Sequence, residues 1–237
     1  KHLKNYTPPE FKISKTELEI FLDKSKTIVQ SRLYFTQEHV KNKDLILDGN
    51  KLRLKEIKIN QKKISLNDVI ISEYYLRIPF SLLKTKNFLL EIKVEINPSS
   101  NTELEGLYLS ENIFCTQCEA EGFRRITYFL DRPDILSIYK VKIIGNYNVM
   151  LSNGNVIKKD KNYIEWYDPY PKPSYLFALV AGELESFEDK FITKSKRKVE
   201  LKIYVQKENL NFCFFAMKAL KKSMRWEEKI YGLEYDL

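Results

Sequence analysis

The composition of this chain describes a folded protein with an excess of positive charge. Its 237 residues are 43% hydrophobic, include 15 Tyr and 14 Phe, and carry a formal net charge of +8. A chain of this length can form one large domain or two modest ones with a substantial buried core. Because it has no run of about 18 apolar residues, we expect no transmembrane helix and no membrane partner.

The first residues and the cysteine count indicate the compartment. The opening segment, "KHLKNYTPPEF", is basic but lacks the apolar stretch of a secretory signal. Three cysteines is an odd number for a chain of this length, which favours a reducing environment over a disulfide-rich one. We therefore expect a cytoplasmic protein.

The basic residues are mostly lysines mixed with acids. Of 40 basic residues, 32 are Lys and 8 are Arg, whereas phosphate and base recognition favours the planar guanidinium group. Segments such as "NKLRLKEIKINQKK" and "LEIKVEIN" alternate the two signs of charge and indicate solvated strand faces. We expect no nucleic-acid partner. The remaining alternative, a basic sandwich that binds single-stranded nucleic acid, would show salt-dependent binding.

The first half of the chain alternates apolar and polar residues, which is the pattern of half-buried strands. The apolar members of three predicted strands are Leu18, Ile20 and Leu22, then Val29, Leu33 and Phe35, then Leu90, Ile92, Val94 and Ile96. The tripeptide "DGN" at 48–50 predicts a hairpin between "LIL" and "KLRL". A phase shift between Leu54 and Ile57 predicts a bulge. Short strands separated by turns predict an antiparallel sandwich or a saddle-shaped sheet.

The middle of the chain predicts further buried strands. After an X-Pro turn at Arg132–Pro133, the residues Tyr139, Val141 and Ile143 share one face of a strand. The segment "YDPYPKPSYLFALVAGEL" places three prolines within five residues and then a continuous apolar run. This order predicts a buried strand that is reached through a rigid, extended segment.

The end of the chain changes from strand to helix. "KVELKIYV" predicts a strand, and "ENLNFCFFAMKALKKSMRWEEKIYG" predicts a helix of about six turns that ends at Gly232. One apolar stripe of this helix consists of Cys213, Met217, Leu220 and Met224. The change predicts a domain boundary near residues 187–190, and the roughly 50 residues that follow are too few to build much core alone.

Cys115 and Cys118 have the C-x-x-C spacing of a zinc knuckle, but further ligands are lacking. A structural zinc site needs four ligands. The remaining candidates are Cys213, on the apolar stripe of the predicted helix, and the two histidines His2 and His39. His2 lies near a terminus and His39 follows a strand, where a solvated or locally hydrogen-bonded histidine is expected. The sequence therefore predicts no metal ligand in this chain.

A redox dithiol is also disfavoured by the residues that follow the cysteine pair. Glu119 and Glu121 come directly after the second Cys, and nearby carboxylates oppose formation of a thiolate. With Arg124 and Arg125, these acids lie within seven residues. The residues alone leave two interpretations open, a surface turn with local ion pairs or a functional site.

Four segments of the chain resemble the bacterial aminopeptidase N family, which are zinc aminopeptidases of the gluzincin type. They are "GLYLSENIFCTQCEAEGFRRITYFLDRPDIL", "KIIGNYNVMLSNGN", "WYDPYPKPSYLFALVAGELE" and "AMKALKKSMRWEEKIYGLEYDL". The resemblance spans essentially the whole chain and is weaker before residue 100. It implies a mainly β fold, in which residues 1–187 form a saddle-shaped antiparallel β-sandwich, the N-terminal domain. Residues 188–237 would then be the first strand and helix of a thermolysin-like α/β catalytic domain, truncated before the zinc site.

The resemblance also implies roles for two residues of the cysteine segment. The acid at the position of Glu119 binds the free α-amino group of the substrate, and the Gln at the position of Gln117 lines the pocket for the first side chain. A carboxylate holds an ammonium by a charge-assisted hydrogen bond and can thereby orient the scissile bond. The peptide bond between Glu119 and Ala120 is expected to be cis, as in structures of the family.

The chain departs from the family in lacking its catalytic motifs. The family uses a Gly-Ala-Met-Glu-Asn loop, a His-Glu-x-x-His motif with a further Glu as third zinc ligand, and a Tyr that stabilises the transition state. Two His at i and i+4 present both imidazoles to one metal, and no two His of this sequence have that spacing. We therefore expect zinc in a full-length family member, none bound by this segment, and no catalytic residue within it.

Two functions follow as hypotheses. The leading one is the N-terminal portion of a zinc-dependent aminopeptidase that releases N-terminal amino acids from peptides, with this segment inactive alone. Its partners would be the N-terminus of a peptide substrate and the rest of the catalytic domain. The alternative is a truncated, non-catalytic product that acts as a binding or interaction module, because the apolar stripe of its last helix would need a partner.

Overall fold

The chain divides into two units, which are built from strands and a helix. The computed structural model describes residues 2–38 and 43–237, so His39 lies outside the described residues. The first unit ends at Ala181, and the second is Gly182–Leu237. The division into domains at 187/188 that the family resemblance implies stays a prediction. The residue at that division, Phe187, lies within a strand of the second unit.

Strands dominate both units. The strands of the described residues are β1 (Phe11–Phe21), β2 (Thr27–Gln37), β3 (Leu45–Asp48), β4 (Arg53–Ile59), β5 (Lys62–Lys63), β6 (Ile70–Ile71), β7 (Tyr75–Ile78), β8 (Asn87–Ile96), β9 (Gly106–Ser110), β10 (Ile113–Gln117), β11 (Ser137–Ile144), β12 (Val149–Ser152), β13 (Asn155–Asp160), β14 (Tyr163–Lys172), β15 (Leu179–Gly182), β16 (Glu185–Ile192) and β17 (Lys198–Val205).

The helical segments are few by comparison. The α-helix in this part of the chain is α1 (Cys213–Tyr231), and the 3₁₀ helices are Leu3–Asn5, Leu66–Asp68, Phe80–Leu82, Pro98–Ser100, Phe123–Arg125, Ser174–Leu176 and Lys207–Phe212. Across residues 2–38 and 43–237, the structure contains no helix with the length and apolar character needed to cross a bilayer.

The largest sheet of the described residues has eight strands in the order β13-β14-β11-β1-β2-β8-β4-β5. Neighbouring strands are antiparallel except β1 and β11, which are parallel. The other strands form sheets in the orders β12-β15-β10-β9, β3-β7-β6 and β16-β17. All four sheets are open, and the fold is mainly β, as predicted.

The apolar face of the large sheet forms the core, and β8 shows why. Its predicted apolar residues Leu90, Ile92, Val94 and Ile96 are at most 7% exposed, whereas the residues between them are only half-buried. Side chains of a strand alternate between its two faces, so this period of two places the four predicted apolar residues of β8 on one side, while Leu89 lies on the other. The predicted strands over β1, β2 and β11 are confirmed in the same way.

The opposite face of the large sheet carries alternating charges. One row runs from Lys140 on β11 through Glu17, Arg32 and Glu91 to Lys58 on β4, each residue directly across from the next. Opposite charges in such positions stabilise a sheet by about 0.2–1 kcal/mol per pair. The concavity on this face has a volume of about 370 Å³ and as many acidic as basic side chains. These lysines therefore belong to a solvated strand face, as predicted.

The predicted hairpin at "DGN" is wrong. β3 pairs with β7, and β4 pairs with β8 in a different sheet. A Cβ at Gly49 would lie 2.2 Å from the Tyr128 ring, and Asp48 forms a bridge with Phe129. The Asp-Gly pair therefore lets the chain pass closely over the core from one sheet to the other. The predicted bulge is confirmed by the register shift between Leu54 and Glu56.

The second unit consists of a hairpin and a helix. β16 and β17 pair along their full length, and a small cluster of Phe191, Val199, Leu201 and Met217 forms its core. The predicted strand "KVELKIYV" is thereby confirmed as β17. Four buried side chains make a small core, which agrees with the expectation for a segment of this length.

The helix α1 is shorter than predicted. The first residues of the predicted helix form the 3₁₀ segment Lys207–Phe212, so α1 has 19 residues, or about five turns. Cys213 and Met217 are buried, but Leu220 is 38% exposed, so the predicted apolar stripe is only partly covered. Gly232 has φ +68° and caps the helix as predicted, because glycine adopts this left-handed conformation without steric cost.

Candidate functional site

The segment around the cysteine pair forms a hairpin that ends in a tight turn. β9 and β10 are antiparallel, and Gln117, the last residue of β10, pairs with Gly106. The N–H of Gly122 then donates to the carbonyl of Cys118 at 2.8 Å, and the 3₁₀ helix Phe123–Arg125 follows. Residues 117–122 are therefore held at both ends by backbone hydrogen bonds, and we call them the 117–122 turn.

The two predicted binding residues lie together in this turn. Gln117 and Glu119 are both exposed, and the Gln117 side-chain amide donates to the backbone carbonyl of Glu119 at 3.1 Å. The peptide bond between Glu119 and Ala120 is cis, as predicted. Within residues 2–38 and 43–237, the Glu119 carboxylate has neither a salt bridge nor a hydrogen bond. The binding roles of Gln117 and Glu119 stay predictions.

The charged concavity of the large sheet is a separate feature. It is lined by residues of β1, β2, β4, β8, β11 and β14, and neither Gln117 nor Glu119 is among them. Five acidic and five basic side chains line it, and opposite charges face each other across neighbouring strands. The 117–122 turn is therefore the candidate site, and its exposed Glu119 carboxylate is the group that is available to a cation.

Two glycines allow the backbone segments under the turn to approach closely. A Cβ at Gly122 would lie 2.3 Å from the carbonyl oxygen of Gln117 and 3.0 Å from the backbone nitrogen of Gly106. Gly106 itself has φ +71°, and a Cβ there would lie 2.6 Å from the Cβ of Arg125. Because the neighbours of Gly122 are backbone atoms, they cannot move aside as a flexible side chain would.

Replacement of Gly122 by Ala is therefore expected to lower the free energy of unfolding by about 1–3 kcal/mol, the usual cost of overpacking. Urea unfolding monitored by circular dichroism would measure this. Gly145→Ala is the matched control, because a Cβ there would meet the Tyr147 ring at 3.1 Å, which a side chain can relieve by moving, and Leu22 Cβ at 3.6 Å, an ordinary van der Waals distance. An equal loss for both variants would show that the close backbone approach at Gly122 has no special cost.

A buried ion pair lies directly behind the turn. The backbone N–H and the Nε of Arg124 donate to Asp131 Oδ2 at 3.1 and 3.0 Å, and its Nη2 donates to the Asp131 carbonyl at 3.1 Å. The Asp131 side chain is 1% exposed, and its Oδ1 accepts from the Ser174 hydroxyl at 2.5 Å. Arg124 Nη1 also lies 3.4 Å from Glu121 Oε2 and 3.7 Å from Asp48 Oδ1.

Burial raises the pKa values of three side chains in this region. It raises the pKa of Asp48 above the ordinary value, an effect that the neighbouring Arg124 opposes. Burial also raises the pKa of the Cys118 thiol far above its ordinary value, and Asp131 adds to the shift. The pKa of Cys115 is raised by burial as well. Both thiols therefore stay protonated at neutral pH, with burial as the main cause instead of the downstream glutamates that the sequence suggested.

The described residues do not fit a catalytic zinc site. Within the described ranges, no group of three or more His, Cys, Asp or Glu side chains is placed to hold a metal ion. Cys118 and Cys213 are buried, and His2 is exposed near the beginning of the chain. The sequence also lacks the His pair that presents two imidazoles to one metal.

Sequence reasoning missed the residues that support the turn. It interpreted Glu119, Glu121, Arg124 and Arg125 as either a local ion-pair turn or a functional site, whereas Arg124 reaches the buried Asp131. The sequence does contain one signal that Asp131 has a partner. Asp131 follows the apolar tripeptide "YFL", and a carboxylate at the end of a buried segment requires a charged or hydrogen-bonding partner.

Comparison with known proteins identifies the class. Residues 7–176 match the family described as the Peptidase M1 N-terminal domain. This chain belongs to that family, whose members are M1 metallopeptidases, and the resemblance inferred from the sequence is confirmed.

The similar curated proteins include aminopeptidases N of several bacteria. The chain is 43% identical to aminopeptidase N of Haemophilus influenzae and 41% identical to that of Escherichia coli, over 100% of this chain and 28% of each relative. It is homologous to the N-terminal part of aminopeptidase N and spans less than a third of these relatives' lengths.

Solved structures agree with this relationship. Legionella pneumophila aminopeptidase A in complex with aspartic acid matches with a TM-score of 0.92 and 34% identity, over 100% of this chain and 29% of that one. Native yeast LTA4 hydrolase matches with a TM-score of 0.78 and 21% identity, over 96% of this chain and 36% of that one, which supports the fold alone.

Proposed function

We propose that this chain is the substrate-recognition part of a zinc-dependent aminopeptidase that releases N-terminal amino acids from peptides. Glu119 binds the α-ammonium of the peptide, and Gln117 contacts its first side chain. The observation that carries the proposal is the unpaired, exposed Glu119 carboxylate on a turn whose other acid, Glu121, is paired with Arg124. A terminal ammonium is the cation that an exopeptidase has to recognise, and a carboxylate binds it by a charge-assisted hydrogen bond.

The hydrolytic step requires groups that these residues do not supply. Zinc, when bound in such an enzyme, polarises the scissile carbonyl and activates water. The residues of this chain place the amine at one end of the substrate and thereby fix where the peptide bond lies. The 237-residue chain alone is therefore inactive, and we further propose that it functions in the cytoplasm.

The proposed partner of the second unit is the remainder of a catalytic domain. Exposed aromatic residues lie in and next to α1, including Phe212, Phe214, Phe215 and Trp226. Phe214 and Phe215 are 70% and 78% exposed, and apolar groups that are exposed together mark a surface that is covered in the working protein. The same observation favours the second candidate function, a non-catalytic interaction module.

An activity assay separates the two functions. The full natural gene product that contains this chain is expected to hydrolyse amino-acid p-nitroanilides with a free α-amine, to be inhibited by a zinc chelator, and to leave Nα-acetylated substrates intact. The 237-residue chain is expected to show no turnover. Hydrolysis of acetylated substrates at an equal rate would contradict amine recognition. A gene product without any turnover would favour the interaction module.

A further inference from the structure

Arg124 contacts three acids around the 117–122 turn but not the one that is proposed to bind substrate. Its guanidinium lies within 4 Å of carboxylate oxygens of Glu121, Asp48 and Asp131, at 3.4, 3.7 and 3.0 Å. The Glu119 carboxylate has no such partner among the described residues. We propose that Arg124 is a positioning residue that neutralises Glu121 and leaves Glu119 as the single free carboxylate of the turn. This inference rests on the proposed function.

The guanidinium is fixed in place from the protein interior. Asp131 is buried and accepts hydrogen bonds from the backbone N–H and the Nε of Arg124, while its carbonyl accepts from Nη2. Ser174 donates to the other oxygen of Asp131. The Arg124 carbonyl in turn accepts from the backbone N–H of Asn50 at 3.0 Å. Two guanidinium contacts, one to a carboxylate oxygen and one to a backbone carbonyl, hold this arginine in one geometry, so Nη1 is presented to Glu121 without a further loss of side-chain freedom.

The pairing of Glu121 with Arg124 determines how much positive charge on a substrate the site favours. With Glu121 paired, the turn offers one free carboxylate, which matches a substrate whose only charge is the α-ammonium. Without Arg124, Glu121 becomes a second free carboxylate two residues from Glu119 on the same turn. A site with two free acids favours substrates that carry a second positive charge in the first residue. Arg124 therefore keeps the site tolerant of neutral first side chains.

Substrate preference of the full natural gene product tests this. The readout is the ratio of kcat/KM for lysine p-nitroanilide to kcat/KM for leucine p-nitroanilide. Arg124→Gln is expected to raise this ratio about fivefold, the size of a surface charge effect. Arg124→Lys keeps the positive charge and is expected to hold the ratio near the wild-type value, even where its stability falls. Equal losses for both substrates in both variants would show a purely structural role and would overturn the inference.

Two further variants test the contribution of Glu121 separately. Adding Glu121→Gln to Arg124→Gln is expected to return the ratio to the wild-type value, because the second free acid is then absent. Glu121→Gln alone leaves the buried contacts of Arg124 intact, so it keeps the test available if Arg124→Gln does not fold. It is expected to change kcat/KM for either substrate less than twofold. A loss as large as that for Glu119→Gln would show that Glu121 is not neutralised and would overturn the inference.

The failures of the two proposals are distinguishable. A wild-type gene product without hydrolysis of either substrate contradicts the proposed function and this inference with it. Normal wild-type hydrolysis with an unchanged substrate ratio in Arg124→Gln contradicts the inference alone.

Discussion

Replacement of Glu119 by Gln is expected to lower kcat/KM of the full natural gene product for amino-acid p-nitroanilides by about 10- to 150-fold. The substitution keeps the size of the side chain but removes the negative charge that holds the substrate ammonium. A hydrogen bond to a charged group contributes about 1.5–3 kcal/mol, which corresponds to this range of rates. The carboxylate has no partner among residues 2–38 and 43–237, so its loss leaves no other charged group unpaired and fold stability is expected to change little.

Glu73→Gln is a matched control for this prediction, because Glu73 is another exposed glutamate of the first unit and lies outside the 117–122 turn. Its kcat/KM is expected to stay within twofold of the wild-type value. Free α-amine inhibitors, tested with and without an Nα-acetyl group, separate binding from turnover. Glu119→Gln with an unchanged preference for the free amine would show that another group binds the ammonium.

The parts of the fold that the sequence predicts correctly depend on local patterns. The alternation in β8 and the bulge after Leu54 are visible because each follows from which face of one strand is buried. Gly232 is predictable for the same reason, since the cap depends only on the end of its own helix. The start of α1 is not predictable from the sequence, because a 3₁₀ segment and an α-helix have similar apolar patterns over six residues.

Contacts between distant segments could not be predicted in this way. The Asp-Gly pair at 48–49 is typical of a hairpin, yet the tertiary bridge between Asp48 and Phe129 directs the chain into a second sheet. The hydrogen bonds that support the candidate site also join residues that are distant in the sequence. Asp48 and Ser174 are 83 and 43 residues from Asp131 along the chain, and both form hydrogen bonds with it. The residues of the turn itself were identified through the family resemblance.

The geometry of the 117–122 turn also depends on the hydrophobic core of the first unit. Phe123 is fully buried and is the first residue of the 3₁₀ helix that continues from the 117–122 turn. Its ring makes edge-to-face contacts with Phe129 at 4.8 Å, Phe177 at 5.2 Å and Tyr139 at 6.1 Å between centroids. Such pairs add about 0.5–1.5 kcal/mol beyond the burial of apolar area. Phe123 therefore connects the exposed turn to the hydrophobic core of the first unit.

Phe123→Ala is expected to lower the free energy of unfolding of the first unit by about 3–5 kcal/mol, because a buried aromatic ring is replaced by a cavity. Urea unfolding followed by fluorescence measures this in a Trp226→Phe background, where Trp166 in β14 reports on the first unit. Tyr74→Ala is the aromatic control. Tyr74 is 60% exposed, so its loss is expected to stay within about 0.5 kcal/mol. A loss below 1 kcal/mol for Phe123→Ala would contradict a packed aromatic cluster behind the turn, since cavity formation at a buried Phe costs about 3 kcal/mol or more.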